Sequence, residues 1–118
     1  MPSRTGREIG KTSYSSVPPD LLEAARELAK QKQAYLHEIF TEAVNKIIQR
    51  MDAEQEIEWA RPPKRRKGKL HRPYPVKMDV EVLARLRAAC DSHDVNGNLV
   101  FITALRDYLR TNGFDVEA

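Results

Sequence analysis

The stretch Arg72–Cys90, RPYPVKMDVEVLARLRAAC, decides the fold because its hydrophobic period changes halfway along. Up to Met78 apolar residues alternate with others, and a period of two predicts a strand with one buried face. Pro73 and Pro75 lack an N–H group, so we expect this strand to have a neighbour on one edge only. The residues that follow have helical spacing, which predicts an amphipathic helix. The inward residues are Tyr74, Val76 and Met78 on the strand and Val82, Leu83, Leu86, Ala89 and Cys90 on the helix.

A second helix is predicted after the turn VNGN, residues 95–98, whose composition interrupts regular structure. It covers LVFITALRDYLRT and ends at Asn112-Gly113, a typical helix stop. The C-terminal half is therefore predicted to contain one strand and two helices.

The N-terminal half has the same plan. The segment DLLEAARELAKQ predicts a first helix, with Pro19 and Asp20 suited to its first turn. The segment YLHEIFTEAVNKIIQRM predicts a second helix. The inward residues are Leu21, Leu22, Ala25, Leu28 and Ala29 on the first helix, and Leu36, Ile39, Phe40, Ala43, Val44, Ile47 and Ile48 on the second.

A fixed shift of 61 residues aligns the two halves without a gap, from Lys11/Arg72 through Ile48/Leu109. The inward pattern is preserved across both helices, which indicates a tandem repeat. Applied to the first strand, the shift predicts Ser13, Ser15 and Val17 inward and Thr12, Tyr14 and Ser16 outward. The identical pairs are Leu22/Leu83, Arg26/Arg87, Phe40/Phe101 and Ala43/Ala104.

Composition narrows the class of protein. The chain has 118 residues and a net charge of +3, with an excess of acidic residues in 1–60 and of basic residues in 61–118. The lone Cys90 suits a reducing compartment. We find no apolar run near the roughly 20 residues of a membrane span and no secretory signal in the first ten residues. The expectation is a cytoplasmic protein without a membrane partner.

The strand-to-helix junctions VPPDLLEAARELA and MDVEVLARLRAAC, with the segments EIFTEAV and LVFITAL, resemble the ribbon-helix-helix family of DNA-binding proteins. Most members have one unit per chain and dimerise. Two units in one chain resemble the tandem members that act as accessory proteins of conjugative and T-DNA transfer. The resemblance implies a mostly α protein with a two-stranded antiparallel β-ribbon. It also implies a pseudo-twofold module formed by the two repeats, and hence a monomer with an internal pseudo-dimer.

This interpretation divides the chain into five parts. Residues 1–10 are a flexible N-terminus, 11–50 the first repeat and 51–71 a linker with the basic run. Residues 72–112 are the second repeat and 113–118 a C-terminal tail, and the two repeats form one domain.

The resemblance also implies where double-stranded DNA would bind. The ribbon would enter the major groove, and the start of each second helix would meet a phosphate. Asn96, Gly97 and Asn98 suit that role, whereas Tyr35 is a poor helix cap. Prolines cannot hydrogen-bond to bases, so we expect weak reading of sequence. The predicted contacts on or beside the ribbon are Lys11, Thr12, Tyr14, Ser16, Arg72 and Lys77.

The linker joins the two repeats. Its first part, DAEQEIEWA, is rich in helix formers and favours an extension of the preceding helix, whereas RPPKRRKGK favours a flexible connector. Basic side chains here would bind phosphates without reading sequence. A solvated loop and a nuclear address are the alternatives. The residues concerned are Lys64, Arg65, Arg66, Lys67 and Lys69.

The predicted function is an accessory role in bacterial DNA transfer, with other transfer proteins as partners and two molecules paired on DNA. The alternatives are a transcriptional autorepressor or antitoxin, and a helical protein-interaction module without DNA binding. No metal site, cofactor or enzymatic activity is expected, because His37, His71 and His93 are scattered and no nucleophile–base pair is apparent.

Overall fold

The structure, a computed structural model, describes residues 8–14, 17–60 and 74–116. Within these ranges four helices and a two-stranded antiparallel sheet confirm the predicted class. The order of elements is β1 (Ile9–Tyr14), α1 (Pro19–Lys32), α2 (Leu36–Asp52), β2 (Tyr74–Asp79), α3 (Val80–His93) and α4 (Gly97–Thr111).

Local sequence explains where the two shorter helices begin and end. α1 begins at Pro19, where a missing N–H costs no hydrogen bond. α3 begins after Asp79, whose carboxylate accepts from the N–H groups of Glu81 and Val82 at 2.9 and 3.4 Å. Both helices are 14 residues long and are followed by a left-handed residue, Gln33 or Asp94. α3 starts 61 residues after α1, which is the shift that aligns the two halves of the sequence.

The predicted apolar stripes form the core. Every helical residue predicted to face inward is buried, except Leu36 and Cys90, which are half-buried at its edge. α2 and α4 pack side by side in the centre, where the rings of Phe40 and Phe101 meet edge to face with centroids 5.3 Å apart. Each buried phenylalanine contributes about 2–3 kcal/mol from the apolar area removed from water.

The ribbon lies against α2 and α3 through one face. Val76 and Met78 are fully buried, as predicted, and they pair with Thr12 and Gly10 of β1. A Cβ on Gly10 would lie 2.9 Å from Leu83 Cδ2, so a residue without a side chain lets the ribbon lie close to α3. The end of the ribbon is also fixed to α2, because the N–H of Asp79 donates to Thr41 Oγ1 at 3.0 Å.

The predicted orientation of the first strand is wrong. Thr12 and Tyr14 face inward, Ser13 faces solvent, and Ser15 and Ser16 lie outside the described residues. The reason is a difference between the connections: residues 15–18 separate β1 from α1, whereas α3 follows β2 directly. The 61-residue shift that relates the helices therefore does not extend into the strands.

The predicted extension of the second helix is also wrong. α2 ends at Asp52, and residues 53–60, which we call the strap, are not helical. The N–H of Ala60 donates to the buried Thr103 Oγ1 at 2.9 Å, and Arg106 donates to the carbonyl of Glu58. Side chains of α4 therefore bond to the backbone of the strap at Glu58 and Ala60. Trp59 is half-buried against the core.

The chain after α4 folds back onto the helices. Val116 is buried, Phe114 is half-buried, and the carbonyl of Val116 accepts from Arg110 Nε at 3.0 Å. The strap contacts α4 at Thr103 and Arg106, and both of these side chains are buried although both are polar.

Candidate nucleic-acid interface

The outer face of the ribbon presents a small basic surface. Its exposed side chains alternate with the buried ones along each strand, as the pleat requires. The register places Lys11 directly opposite Lys77, and Ser13 opposite Pro75. The exposed residues are Ile9, Lys11 and Ser13 of β1 and Pro75 and Lys77 of β2.

The opposed lysines are unfavourable for the fold by itself. Like charges directly opposite each other on one face of an antiparallel pair destabilise the pairing. Their ammonium groups can serve an anion lying across the ribbon, and each brings three donors to it. The central pair Lys11 and Lys77 is therefore the best candidate for contact with a polyanion.

Tyr14 packs against the core and does not belong to the outer face. Its ring stacks on Phe101 with centroids 5.0 Å apart. Burial raises the pKa of Tyr14 to about 12; Cys90 adds to the increase and the positive charge of Arg87 opposes it. Thr12 is also turned inward. The predicted groove contacts through Thr12 and Tyr14 are therefore corrected: burying an aromatic ring removes more apolar surface from water than burying a serine.

The start of α4 lies beside this tyrosine. Asn96 caps the helix, as predicted, by accepting from the N–H of Asn98 at 2.8 Å. A Cβ on Gly97 would lie 3.5 Å from Tyr14 Cε1. The structure thus brings the predicted residues 96–98 to the same end of the ribbon as Tyr14, and no acidic side chain lies in the first turn of α4.

The start of α2 is chemically different. Tyr35 makes no side-chain cap and is 66% exposed, with its ring stacked on that of His37. The carboxylate of Glu38 instead accepts from the N–H of Tyr35 at 3.1 Å. A negative charge therefore already occupies the position where an anion would meet this helix dipole. The carboxylate of Glu38 therefore makes the start of α2 a poorer candidate for a phosphate site than the start of α4.

Two arginines beside the ribbon were not predicted as contacts. Arg26 Nη2 donates to the hydroxyl of Tyr74 at 3.5 Å, a long hydrogen bond. Arg87 lies near enough to Tyr14 for its charge to lower the pKa of that phenol. Tyr14 and Tyr74 pair at one end of the ribbon, so each tyrosine of that pair has an exposed arginine near it. Arg26 and Arg87 are an identical pair in the 61-residue alignment of the sequence, and that identity was the available signal.

The remaining predicted contacts lie outside the described residues; they are Ser16, Lys64, Arg65, Arg66, Lys67, Lys69 and Arg72.

Comparison of the chain with protein-family models, curated proteins and solved structures finds no match. No helix in the described ranges is long and apolar enough to cross a bilayer. Across residues 8–14, 17–60 and 74–116, no three His, Cys, Asp or Glu side chains are grouped so that they could hold a metal ion.

Proposed function

We propose that this chain binds double-stranded DNA through the outer face of its β-ribbon. The observation that supports this most directly is the pairing of Lys11 with Lys77 at the centre of that face. A like-charged pair that costs stability in the free protein is explained when its partner is a polyanion.

The proposed architecture is a single-chain ribbon-helix-helix module with a pseudo-twofold axis. Equal spacing supports it, since α1 and α3, and likewise α2 and α4, begin 61 residues apart. The ribbon takes one strand from each half, and the matched Phe40 and Phe101 touch in the centre. Such a module requires the two halves to share a ribbon and a buried pair of helices.

Binding would rest mainly on phosphates. The outer face offers two lysines and one serine as donors, but Pro75 offers none and Ile9 is apolar. Arg26 and Arg87 would extend the positive surface at the Tyr14–Tyr74 end, and the basic linker would add further phosphate contacts. We therefore propose a backbone binder with weak preference among sequences.

An accessory role in DNA transfer is part of the proposal and is supported by the sequence resemblance. Copurification with transfer proteins from a cell that carries out conjugation would test it. The alternative hypothesis, a transcriptional autorepressor, predicts instead that the chain binds selectively to a duplex from its own promoter.

The first experiment measures duplex affinity against salt for Lys11→Ala and Lys77→Ala. Each lost phosphate contact should lower the magnitude of the slope of log K against log salt by about 0.9. If Lys77 touches a base, Lys77→Ala should also remove about 1–3 kcal/mol of preference between sequences. Arg85→Ala is the control, because Arg85 is an exposed cation on α3 that donates to Asn45 and belongs to neither proposed site.

Neutralising Lys64, Arg65, Arg66 and Lys67 together should weaken all duplexes alike and flatten the salt dependence further. The proposal is wrong if the ribbon variants bind like the wild type and the linker variant keeps its full salt slope. A protein-interaction module would then be the better interpretation.

A further inference from the structure

Three arginines converge on a cleft near the C-terminal ends of α2 and α4. The cleft has a volume of about 320 Å³ and is lined by Arg50, Arg106 and Arg110 together with Glu58, Asp107 and Thr111. It lies away from the ribbon, because Arg50 is about 13 Å further along α2 than Thr41, which holds the ribbon end.

The cleft is rigidly built. Asp107 accepts from Arg50 Nη1 through Oδ2 and from Arg106 Nε through Oδ1, each at 2.9 Å. Arg106 is buried and also donates to the carbonyl of Glu58 in the strap. Two guanidinium groups from different helices are therefore held in place by one carboxylate.

Arg110 completes the cleft and has donors to spare. Its Nε donates to the carbonyl of Val116 at 3.0 Å, which fixes the guanidinium plane. Its two terminal nitrogens have no hydrogen-bond partner among the described residues, and the side chain is exposed. An arginine anchored through one nitrogen loses less freedom when the others bind an anion.

The local charge favours an oxyanion. Three positive charges line the cleft against the carboxylates of Asp107 and Glu58, and Glu58 is exposed. Arg50 and Arg110 each lie in the last turn of a helix, where a cation offsets the negative end of the dipole. The helix dipole accounts for a basic residue at each of these two helix ends. It does not account for three arginines that line one cleft.

We propose that this cleft is a second anion-binding site, separate from the ribbon, that takes a phosphate group. A guanidinium fork matches the oxygens of phosphate through paired hydrogen bonds, and Arg110 supplies the unused pair. The phosphate belongs either to a small phosphorylated ligand or to a nucleic-acid backbone. The two sources share the same chemistry at the cleft.

The test is a titration of the full chain with inorganic phosphate, followed by thermal unfolding and by amide shifts in NMR spectra. Sodium chloride at matched ionic strength is the reference. Phosphate should raise the unfolding temperature of the wild type more than that of Arg110→Gln, because exclusion of phosphate from the protein surface stabilises both alike and binding stabilises only the wild type. Arg110→Gln should weaken phosphate binding about tenfold, the loss expected for a charge-assisted pair.

Two control variants test whether the loss of phosphate binding is specific to the cleft. Arg85→Gln removes an exposed arginine of α3 that donates to Asn45 outside the cleft, and it should bind phosphate like the wild type. Lys11→Ala should also bind phosphate normally, so failure of DNA binding at the ribbon would leave this site standing. The site is refuted if phosphate acts no more strongly than chloride, or if Arg110→Gln binds phosphate as well as the wild type.

A duplex titration with Arg110→Gln separates the two sources of phosphate. A salt slope smaller in magnitude by about 0.9 would assign the cleft to the nucleic-acid backbone. An unchanged slope, with phosphate binding lost, would assign it to a small phosphorylated ligand.

Discussion

At the scale of single residues, Tyr14 decides which face of β1 is buried. Its ring stacks on Phe101, and the alternation of the strand then turns Thr12 and Gly10 inward and Lys11 outward. A slip by one residue would expose the ring and bury the lysine. The basic outer face of the ribbon therefore depends on an aromatic residue that does not belong to it.

The raised pKa of Tyr14 makes a prediction for pH dependence. The folded state holds the phenol proton up to about pH 12, whereas an unfolded tyrosine loses it near its ordinary value of 10.0. Between these values the folded state binds more protons than the unfolded state, so stability falls as pH rises. Tyr14→Phe should fall less steeply, as measured by urea midpoints at pH 8 and pH 11.

The control for this experiment is Tyr35→Phe. Tyr35 is largely exposed, so its replacement tests the loss of a tyrosine hydroxyl outside the core. Parallel profiles for Tyr14→Phe and the wild type would show that the phenol is not buried in the folded protein.

At the scale of elements, the two long helices begin by different means. α4 has a side-chain cap from Asn96, whereas α2 relies on Glu38 reaching back to the backbone of Tyr35. Only the start of α4 combines a neutral cap with the absence of acidic side chains from the first turn. The two ends of the proposed interface are therefore unequal, although the helices themselves follow a common spacing.

This difference predicts unequal costs of substitution. Asn96→Ala should destabilise the fold by about 0.5–2 kcal/mol, the usual cost of losing a side-chain cap. Tyr35→Ala should cost clearly less, since Tyr35 makes no such hydrogen bond. Chemical denaturation of both variants measures the two losses. Equal losses would mean that the Asn96 cap does not form.

At the scale of the whole molecule, neither half has a complete core. β1 pairs with β2 across the chain, and α2 packs more closely on α4 than on α1. The halves are tethered, so the ribbon forms without a second chain. The expectation is a monomer at micromolar concentration in sedimentation experiments, and a fragment of residues 1–60 that does not fold alone. An obligate dimer or a folded monomeric fragment would contradict this architecture.

The shared core also predicts matched effects at its centre. Phe40→Ala and Phe101→Ala should each cost about 3–5 kcal/mol, because each leaves a cavity against the other ring. Urea unfolding of the two variants provides the measurement. A loss below about 1 kcal/mol at both positions would refute the alignment of the two repeats.

The sequence by itself determined the elements that rest on local patterns. Apolar residues at helical spacing placed the buried stripes of α1, α2 and α3, and the alternation in β2 placed Val76 and Met78 in the core. Asn96 was identifiable as a cap because its short side chain reaches a backbone N–H two residues away. Such signals are readable because the partners are neighbours along the chain.

Only the tertiary structure decided the orientation of β1, the path of the strap and the arginine cleft. In β1 the alternation of apolar residues is weak. Stacking of the Tyr14 ring on Phe101 decides which face of the strand is buried, and the 61-residue alignment does not predict it. The strap leaves the helical path because Thr103 and Arg106, more than 40 residues away, bind its backbone. Arg50 and Arg110 meet around Asp107 only after α2 and α4 pack. Each outcome depends on a contact between distant residues, which local preference does not encode.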